Sequence, residues 1–185
     1  MIELNEAHEY TKNKVRKPGV NEILNLYFPP NSFYTEMGKE IGKVRHQWYS
    51  FLSEGKEPNV EPDPRIAGEV QAFRKWLADV KPVRKGGETP IYDRDLHVCG
   101  TPDWYGEING RMAVVDFKPQ NKAKRTIIQT VAYKLNLISN GIIILDRYEL
   151  RLSDGDYRFE QHTNPMDANN WRAMVYAFFA SSFYR

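Results

Sequence analysis

Two aspartates lie on either side of a short hairpin signal in the middle of the chain. Asn109-Gly110 stands between two strand-like runs, residues 104–108 and 111–115, and this pattern predicts a two-residue β-hairpin turn. In that register Asp103 lies directly opposite Asp116. Their Cβ atoms would be about 5 Å apart, and two full charges at about that distance repel by roughly 3 kcal/mol at an effective dielectric constant of about 20.

The expected repulsion indicates a cation between the two carboxylates. A divalent ion bound by both would offset the repulsion, and strand alternation places Lys118 on the same face as Asp116. The two valines before Asp116 predict a buried central strand, and a charge at the end of such a strand favours a functional role. The structural alternative is that one aspartate caps a strand end while the other pairs with Lys118 on a solvated face.

The composition narrows the type of metal site. The 185-residue chain has one cysteine, Cys99, which excludes an internal disulfide, a multi-cysteine zinc site and an iron–sulfur cluster on four thiolates. Any metal is therefore expected on oxygen and nitrogen ligands. The net charge of +2 neither requires nor excludes a polyanionic partner.

Length and patterning predict one globular domain over residues 1–185. The chain is 41% hydrophobic, which is enough to bury a core. Because no apolar run approaches the roughly 18 residues of a membrane span, and the first residues lack the order of a secretory signal, we expect a soluble, cytoplasmic protein.

The first part of the chain has helical patterns. Residues 1–32 are predicted to form a leader with a short helix over 20–26, ended by the prolines that follow. A second helix is predicted over 33–52 from apolar residues at helical spacing, and a third begins at Asp63-Pro64. Three helical segments are thus expected before any strand.

Strand patterns follow from about residue 88. After the central hairpin we predict a helix over 123–138, a strand over 141–145 that is buried on both faces and parallel to an earlier one, and a second hairpin at Asp154-Gly155. A closing helix opens at Asn164-Pro165. The predicted fold class is α/β, with a core over 33–185 built as a central mixed β-sheet flanked by helices.

The hairpin residues also match a known signature. Pro102-Asp103, twelve residues and then Asp116-Phe117-Lys118 spell the PD-(D/E)XK motif. Gln129 and Tyr133, four residues apart on the next predicted helix, resemble the glutamine–tyrosine motif of the RecB-like exonuclease branch. The chain therefore resembles the PD-(D/E)XK nuclease superfamily in its branch of phage and bacterial recombination exonucleases, and it is similar to the mitochondrial genome maintenance exonuclease.

The resemblance implies a restriction-endonuclease-like core and a site. Asp103, Asp116 and the main-chain carbonyl of Phe117 would bind Mg²⁺ or Mn²⁺, and His46, in the position of an upstream helical histidine of that branch, would add a nitrogen ligand. Lys118 would orient or activate the attacking water. The branch also carries an acidic residue, matched here by Glu88, that would bind metal directly or through water. The catalytic set that the resemblance implies comprises Asp103, Asp116, Lys118, Glu88, Gln129 and Tyr133.

Structural alternatives stay open for the outer members of this set. His46 lies opposite the apolar stripe of its helix and would then face solvent, although Gly38 and Gly42 on the same side suggest that another backbone approaches there. Glu88 could be an exposed charge at the start of a strand. The glutamine and tyrosine could be ordinary surface residues.

Contacts to nucleic acid are predicted around the end of the central strand. Lys122, Lys124 and Arg125 cluster at the start of the following helix, where ammonium groups and free amides can meet phosphates. Trp104 and Tyr105 offer rings for base stacking. A solvated run of charges and a buried aromatic core are the respective alternatives.

The resemblance implies a metal-dependent DNA nuclease, an exonuclease of recombination, repair or replication, in a bacterial or phage-infected cell. Single-stranded DNA or duplex ends would be the substrate, and a helicase, a recombinase or a single-strand-binding protein are the expected partner classes. Pro119 departs from the small residue that many relatives have after the lysine, and the chain has no phosphate-binding loop for ATP. An inactive DNA-binding module and a metal-free glycoside hydrolase are the alternative functions.

Overall fold

A computed structural model describes residues 2–5, 9–29, 36–119 and 124–182. Within these ranges the predicted fold class is confirmed: the chain is α/β, with a central mixed sheet and helices on both of its faces. None of the helices in the described ranges is both long and apolar enough to cross a membrane.

The central sheet has five strands in the order β10-β9-β8-β7-β4. Strands β8 and β9 are parallel and the other neighbours are antiparallel. The parallel pair is joined by the helix α4, as the sequence predicts for a crossover connection. The strands are β4 (Val83–Gly86), β7 (Trp104–Ile108), β8 (Arg111–Pro119), β9 (Asp146–Leu152) and β10 (Tyr157–Gln161).

Five helices in the described part of the chain surround this sheet. They are α1 (Val20–Tyr27), α2 (Glu36–Ser53), α3 (Ala67–Val80), α4 (Lys124–Ile138) and α5 (Met166–Ser182). Helices α2 and α3 cover one face through a core that includes Phe73, Trp76 and Leu150. Helices α1, α4 and α5 cover the other face around Val114 and Trp171. The predicted helix ends agree closely except in α3, which begins after the predicted Asp63-Pro64, and in residues 33–35, which lie outside the described part of the chain.

The expectation that three helical segments precede any strand is wrong, although the short helix predicted in the leader is present as α1. Residues before α1 form a three-stranded antiparallel sheet from β1 (Ile2–Leu4), β2 (Tyr10–Lys12) and β3 (Val15–Lys17). Asn13 and Lys14 both have positive φ, 52° and 65°, as the tight turn between β2 and β3 requires. Strands of three residues are too short to give a clear alternation in sequence, so the sheet escaped prediction.

The predicted strand over 141–145 is also wrong. This segment is a loop in which Ile143 is 71% exposed, and the strand that runs parallel to β8 starts at Asp146. Strand β9 carries the buried charges Arg147, Glu149 and Arg151 in alternation with apolar residues, so its sequence looks more polar than its burial. The hairpin from β9 to β10 turns at Asp154-Gly155, as predicted.

A small two-stranded sheet lies between β4 and β7 in the chain. Strand β5 (Ile91–Tyr92) pairs with β6 (Cys99–Gly100), and Gly19, just before α1, forms a bridge to Cys99. His97 is exposed, with Nδ1 2.6 Å from the Tyr92 hydroxyl, and the Cys99 side chain is buried. The bridge between Gly19 and Cys99 holds the segment that precedes Asp103 against the start of α1.

Loss of core packing around the central sheet should destabilise the fold strongly. Leu150 on β9 is fully buried, and we expect Leu150→Ala to lower the free energy of unfolding by about 2–5 kcal/mol. Leu26 near the end of α1 is 59% exposed, so Leu26→Ala should stay within about 0.5 kcal/mol of the unsubstituted protein. Urea unfolding followed by tryptophan fluorescence compares the two, and equal losses would contradict this account of the core.

Candidate metal centre

The hairpin between β7 and β8 has the predicted register. Trp104 pairs with Val115, so Asp103 and Asp116 occupy the next facing positions. The main-chain N–H of Phe117 donates a 2.7 Å hydrogen bond to Asp103 Oδ2. This bond fixes one carboxylate oxygen of Asp103 beside the strand that carries Asp116.

Asp116 is a fully buried carboxylate at the end of the central strand β8. Lys118, two residues on, places Nζ 2.6 Å from Asp116 Oδ2. Neither oxygen of Asp116 accepts a well-aligned hydrogen bond from the described residues. Because a buried carboxylate with unused lone pairs is costly, a cation bound by these oxygens would offset part of that cost.

His46 of α2 joins the two acidic residues on the other side of Asp103. His46 Nδ1 lies 3.0 Å from Glu88 Oε1 and 3.5 Å from Asp103 Oδ1. One ligand atom from each of His46, Glu88 and Asp103 falls within 4.8 Å of the other two, close enough to bind a single ion. The structure therefore brings all the acidic residues and the histidine that the sequence singled out to one end of β7 and β8.

The backbone before Glu88 is shaped to place this side chain. Gly87 has a φ of +149°, and a Cβ there would lie 2.3 Å from the main-chain oxygen of Asp103, so only glycine fits. Glu88 itself has a φ of +54°, and its N–H donates a 2.8 Å bond to Pro102 O. A non-glycine residue in the left-handed region marks local strain that the surrounding contacts must hold, and such strain is common at functional sites.

Burial makes the two aspartates hard to ionise. Burial raises the pKa of Asp116 to about 7, against the opposing effect of the Lys118 ammonium and with a further rise from the charge of Asp103. Burial also raises the pKa of Asp103, although His46 and Lys118 act in the opposite direction. A bound cation would remove the cost of charging both groups.

The two basic groups, His46 and Lys118, favour their charged forms. Desolvation alone would lower the pKa of His46, but the charges of Asp103 and Glu88 outweigh it and raise the pKa to about 9. Desolvation would also lower the pKa of Lys118, and the two aspartates again outweigh it and raise the pKa. Lys118 therefore carries an ammonium group at neutral pH.

Gln129 and Tyr133 are buried, so they are not ordinary surface residues. Gln129 Nε2 donates to the Tyr133 hydroxyl at 2.9 Å and to Asn21 Oδ1 of α1 at 3.3 Å. Burial and then the charges of Asp116 and Asp103 raise the pKa of Tyr133 well above its usual value. The tyrosine hydroxyl thus stays protonated within reach of the field of both aspartates.

The residues predicted to contact nucleic acid lie in different environments. Trp104 is wrong as a stacking residue because its ring is fully buried and packs edge-on against Trp76 at 6.1 Å. Tyr105 is partly exposed and lines a groove of about 590 Å³ that also includes Glu88. Of the remaining predicted residues, Lys124 and Arg125 are at the start of α4.

At that helix start, the two described basic residues, Lys124 and Arg125, differ. Lys124 is exposed, whereas the Arg125 guanidinium donates to Asn25 Oδ1 at 2.6 Å and to Asn21 Oδ1 at 2.9 Å, which ties α4 to α1. Lys122 lies outside the described residues. Binding of DNA by these side chains stays a prediction.

The prediction that another backbone approaches the His46 side of α2 is wrong at Gly42. A Cβ at Gly42 would meet no atom within 4 Å, so no backbone of the described chain packs against it. An ion pair that was not predicted from the sequence holds α2 in place beside His46. Arg45 donates to both oxygens of Glu69 on α3 at 2.6 and 2.9 Å, and the Tyr49 hydroxyl donates to Glu69 at 3.0 Å.

A second buried charged group lies on β9, next to the strand of Asp116. Glu149 pairs with Asp116 in the register and is fully buried, with Arg151 Nε and His162 Nε2 each 3.6 Å from one of its oxygens. The alternation of Glu149 and Arg151 with apolar residues was the sequence signal for this cluster. Glu149 and Arg151 on β9 thus lie beside Asp116 and Lys118 on β8.

The residues at the end of β8 fit a hard divalent cation. The carboxylates of Glu88 and Asp103 and the imidazole nitrogen of His46 lie together and are ligand types that Mg²⁺ and Mn²⁺ accept. Asp116 lies beside this group, in the position that faces Asp103. The buried oxygens of Asp116 accept no well-aligned hydrogen bond from the described residues, and this supplies a structural reason for such an ion. The predicted ligation by the Phe117 carbonyl remains a prediction, and its N–H is used to hold Asp103.

Among known proteins, only solved structures are similar to this chain, and the likeness is remote. No family model matches the sequence, and neither does any curated protein. Among solved structures, LHK-Exo in complex with dAMP is similar at 14% identity and a TM-score of 0.45, over 89% of this chain and 87% of that one. LHK-Exo, an alkaline exonuclease from Laribacter hongkongensis, is also similar in a second structure at 13% identity and a TM-score of 0.43, with the same coverage. A likeness this distant carries no argument about activity, which has to rest on the residues.

Metal affinity at this site should rise with pH. His46, with a pKa of about 9, must lose a proton to bind an ion. Asp116 has a pKa of about 7, so below about pH 7 an ion must displace a second proton, from Asp116. Between these two pKa values we expect the Kd for Mn²⁺ to fall by up to about tenfold per pH unit.

Titration calorimetry in buffers of different ionisation enthalpy measures both the Kd and the protons released. His46→Ala should weaken binding and flatten the pH dependence, whereas His97→Ala, which alters an exposed histidine on the β5–β6 connection, should preserve both. Mn²⁺ binding that is independent of pH would contradict the assignment of His46.

Proposed function

We propose that this protein is a metal-dependent DNA nuclease, acting as an exonuclease that hydrolyses phosphodiester bonds on a restriction-endonuclease-like core. The observation that carries the proposal is the meeting of Asp103, Asp116 and Lys118 at the end of the central strands, with His46 and Glu88 beside them. This arrangement is the one that the PD-(D/E)XK resemblance implies. The coarser conclusion, a site suited to a divalent cation, rests on burial and charge alone.

The proposed metal ligands are Asp103 and Asp116, with His46 and Glu88 completing the set. When bound, Mg²⁺ or Mn²⁺ would polarise the phosphate and lower the pKa of a coordinated water. Asp103 would keep its orientation through the hydrogen bond from the Phe117 N–H, so one oxygen is held by the backbone and the other faces His46. Such fixed ligands need little rearrangement when the reaction begins.

Lys118 would act through its charge. As an ammonium group beside Asp116 it has no free lone pair with which to accept a proton, but it can donate hydrogen bonds to an attacking hydroxide or a phosphate oxygen. Negative charge that develops on the phosphoryl oxygens would be stabilised by this group. Gln129 and Tyr133 would support the site or the phosphate backbone from α4.

DNA is the proposed substrate, as single strands or duplex ends. Two of the described residues are candidates for contacts to DNA: Tyr105, which is partly exposed, and Lys124, which is exposed. A helicase, a recombinase or a single-strand-binding protein as partner rests on the resemblance alone. The glycoside hydrolase alternative would leave Lys118 and His46 without a role, so we do not favour it.

Digestion of end-labelled DNA tests the proposed activity. Linear single- and double-stranded DNA and covalently closed circles are incubated with Mg²⁺, Mn²⁺ or EDTA. We expect metal-dependent loss of the linear molecules and no attack on the circles, because the proposed enzyme acts from ends. Cleaved circles would indicate an endonuclease, and DNA binding without cleavage under either metal would favour the inactive binding module.

Removal of the Lys118 charge tests its role separately from metal binding. Lys118→Met should lower kcat by about a hundredfold or more, on the scale of losing one group that stabilises transition-state charge, while Mn²⁺ still binds. Lys75→Met is the matched control, because Lys75 is also ion-paired, to Asp79 at 2.9 Å on α3, and should keep normal turnover. Full activity of Lys118→Met would overturn the role given to this lysine.

A further inference from the structure

The segment that leads into Asp103 is held by the N-terminal sheet. The Cys99 N–H donates to Pro18 O at 2.8 Å, next to β3. Two residues later, the Thr101 hydroxyl forms a 3.0 Å hydrogen bond with the hydroxyl of Tyr10 on β2. Between them, the Gly100 N–H donates at 3.2 Å to the side-chain oxygen of Asn136 on α4, in the amide orientation that satisfies both groups of that side chain.

Tyr10 is fixed on the protein before it reaches Thr101. Its strand is paired on both sides, with Leu4 on β1 and Lys17 on β3. Its ring lies so close to the backbone that a Cβ at Gly19 would come within 2.9 Å of it. On the same strand, Lys12 Nζ sits 3.7 Å from the centre of the Tyr92 ring, which holds β2 against β5.

The held segment carries two members of the candidate metal centre. Asp103 lies two residues after Thr101, with Pro102 between them restricting the backbone. The carbonyl of Pro102 accepts the N–H of Glu88, so the position of Glu88 depends on the same short stretch of chain. A shift of Thr101 would therefore move both acidic groups relative to His46.

We propose that Tyr10 is a positioning residue of the metal centre, which holds Asp103 and Glu88 in place through its hydrogen bond to Thr101. This inference rests on the proposed function, because it assumes that the centre binds a divalent cation. It gives the N-terminal sheet, which no motif in the sequence marks, a role in the site. Tyr10 contacts neither the substrate nor the ion in this proposal.

The size of the effect follows from the distance of Tyr10 from the ligands. Loss of a residue hydrogen-bonded directly to a metal ligand typically costs about 10–100-fold in affinity. Tyr10 acts one step further out, through the backbone of Thr101 and Pro102, so we expect a loss on the order of three- to tenfold.

Tyr10→Phe removes the hydroxyl and keeps the ring that packs against Gly19. We expect it to raise the Kd for Mn²⁺, measured by titration calorimetry, by about three- to tenfold, on the order that outer contacts to a metal site contribute. Tyr27→Phe is the matched control, because its hydroxyl also makes one hydrogen bond, to Met174 O at 3.3 Å, on the surface formed by α1 and α5. The control should keep the original Kd, and melting temperatures of both variants report any general loss of stability.

Variants of Thr101 separate the hydrogen bond from the tyrosine itself. Thr101→Val should weaken Mn²⁺ binding as Tyr10→Phe does, whereas Thr101→Ser, which keeps the hydroxyl, should bind Mn²⁺ as the unsubstituted protein does. The double variant of Tyr10→Phe with Thr101→Val should lose no more Mn²⁺ affinity than either single variant. Equal Mn²⁺ affinities for Tyr10→Phe, Tyr27→Phe and the unsubstituted protein would overturn the inference. Absence of Mn²⁺ binding in the unsubstituted protein would instead overturn the proposed function on which the inference depends.

Discussion

Asp103 and Asp116 occupy facing positions at the end of β7 and β8, and both carboxylates are buried. Two like charges in such a position repel each other and lose their hydration, so the fold needs positive groups at this point. Lys118 supplies one from the same strand as Asp116, and His46 supplies another from α2. The raised pKa of each aspartate shows that these two groups only partly offset the cost, which a divalent cation would remove.

The surrounding elements can be understood as supports for this charged group. The hairpin sets the facing positions, and the Phe117 N–H holds one oxygen of Asp103. Glycine at position 87 lets the backbone pass within contact of Asp103, so that Glu88 can reach His46. The Arg45–Glu69 ion pair anchors the helix turn that carries His46, and α4 brings Tyr133 over the aspartates. Elements that are distant in sequence thus converge on a single pair of carboxylates.

Local signals in the sequence were sufficient for the centre of the fold. Asn109-Gly110 encodes its turn through residues that accept positive φ, so the register and the pairing of Asp103 with Asp116 could be predicted from spacing alone. The burial of strand β9 on both faces could not, because Glu149 and Arg151 alternate with apolar residues, a pattern typical of a strand with one face exposed to solvent. The N-terminal sheet was missed because its strands are only three residues long. The Tyr10–Thr101 contact joins residues about 90 positions apart, for which a single sequence carries no local signal.

The central claim is that one divalent ion binds among the acidic residues at the end of β8. Anomalous diffraction from a crystal grown with Mn²⁺ tests this claim most directly, because it locates the ion without relying on activity. The account predicts an anomalous peak within ligand distance, about 2.0–2.6 Å, of carboxylate oxygens of both Asp103 and Asp116. A fully occupied Mn²⁺ elsewhere on the protein, with no peak between these two residues, would contradict it.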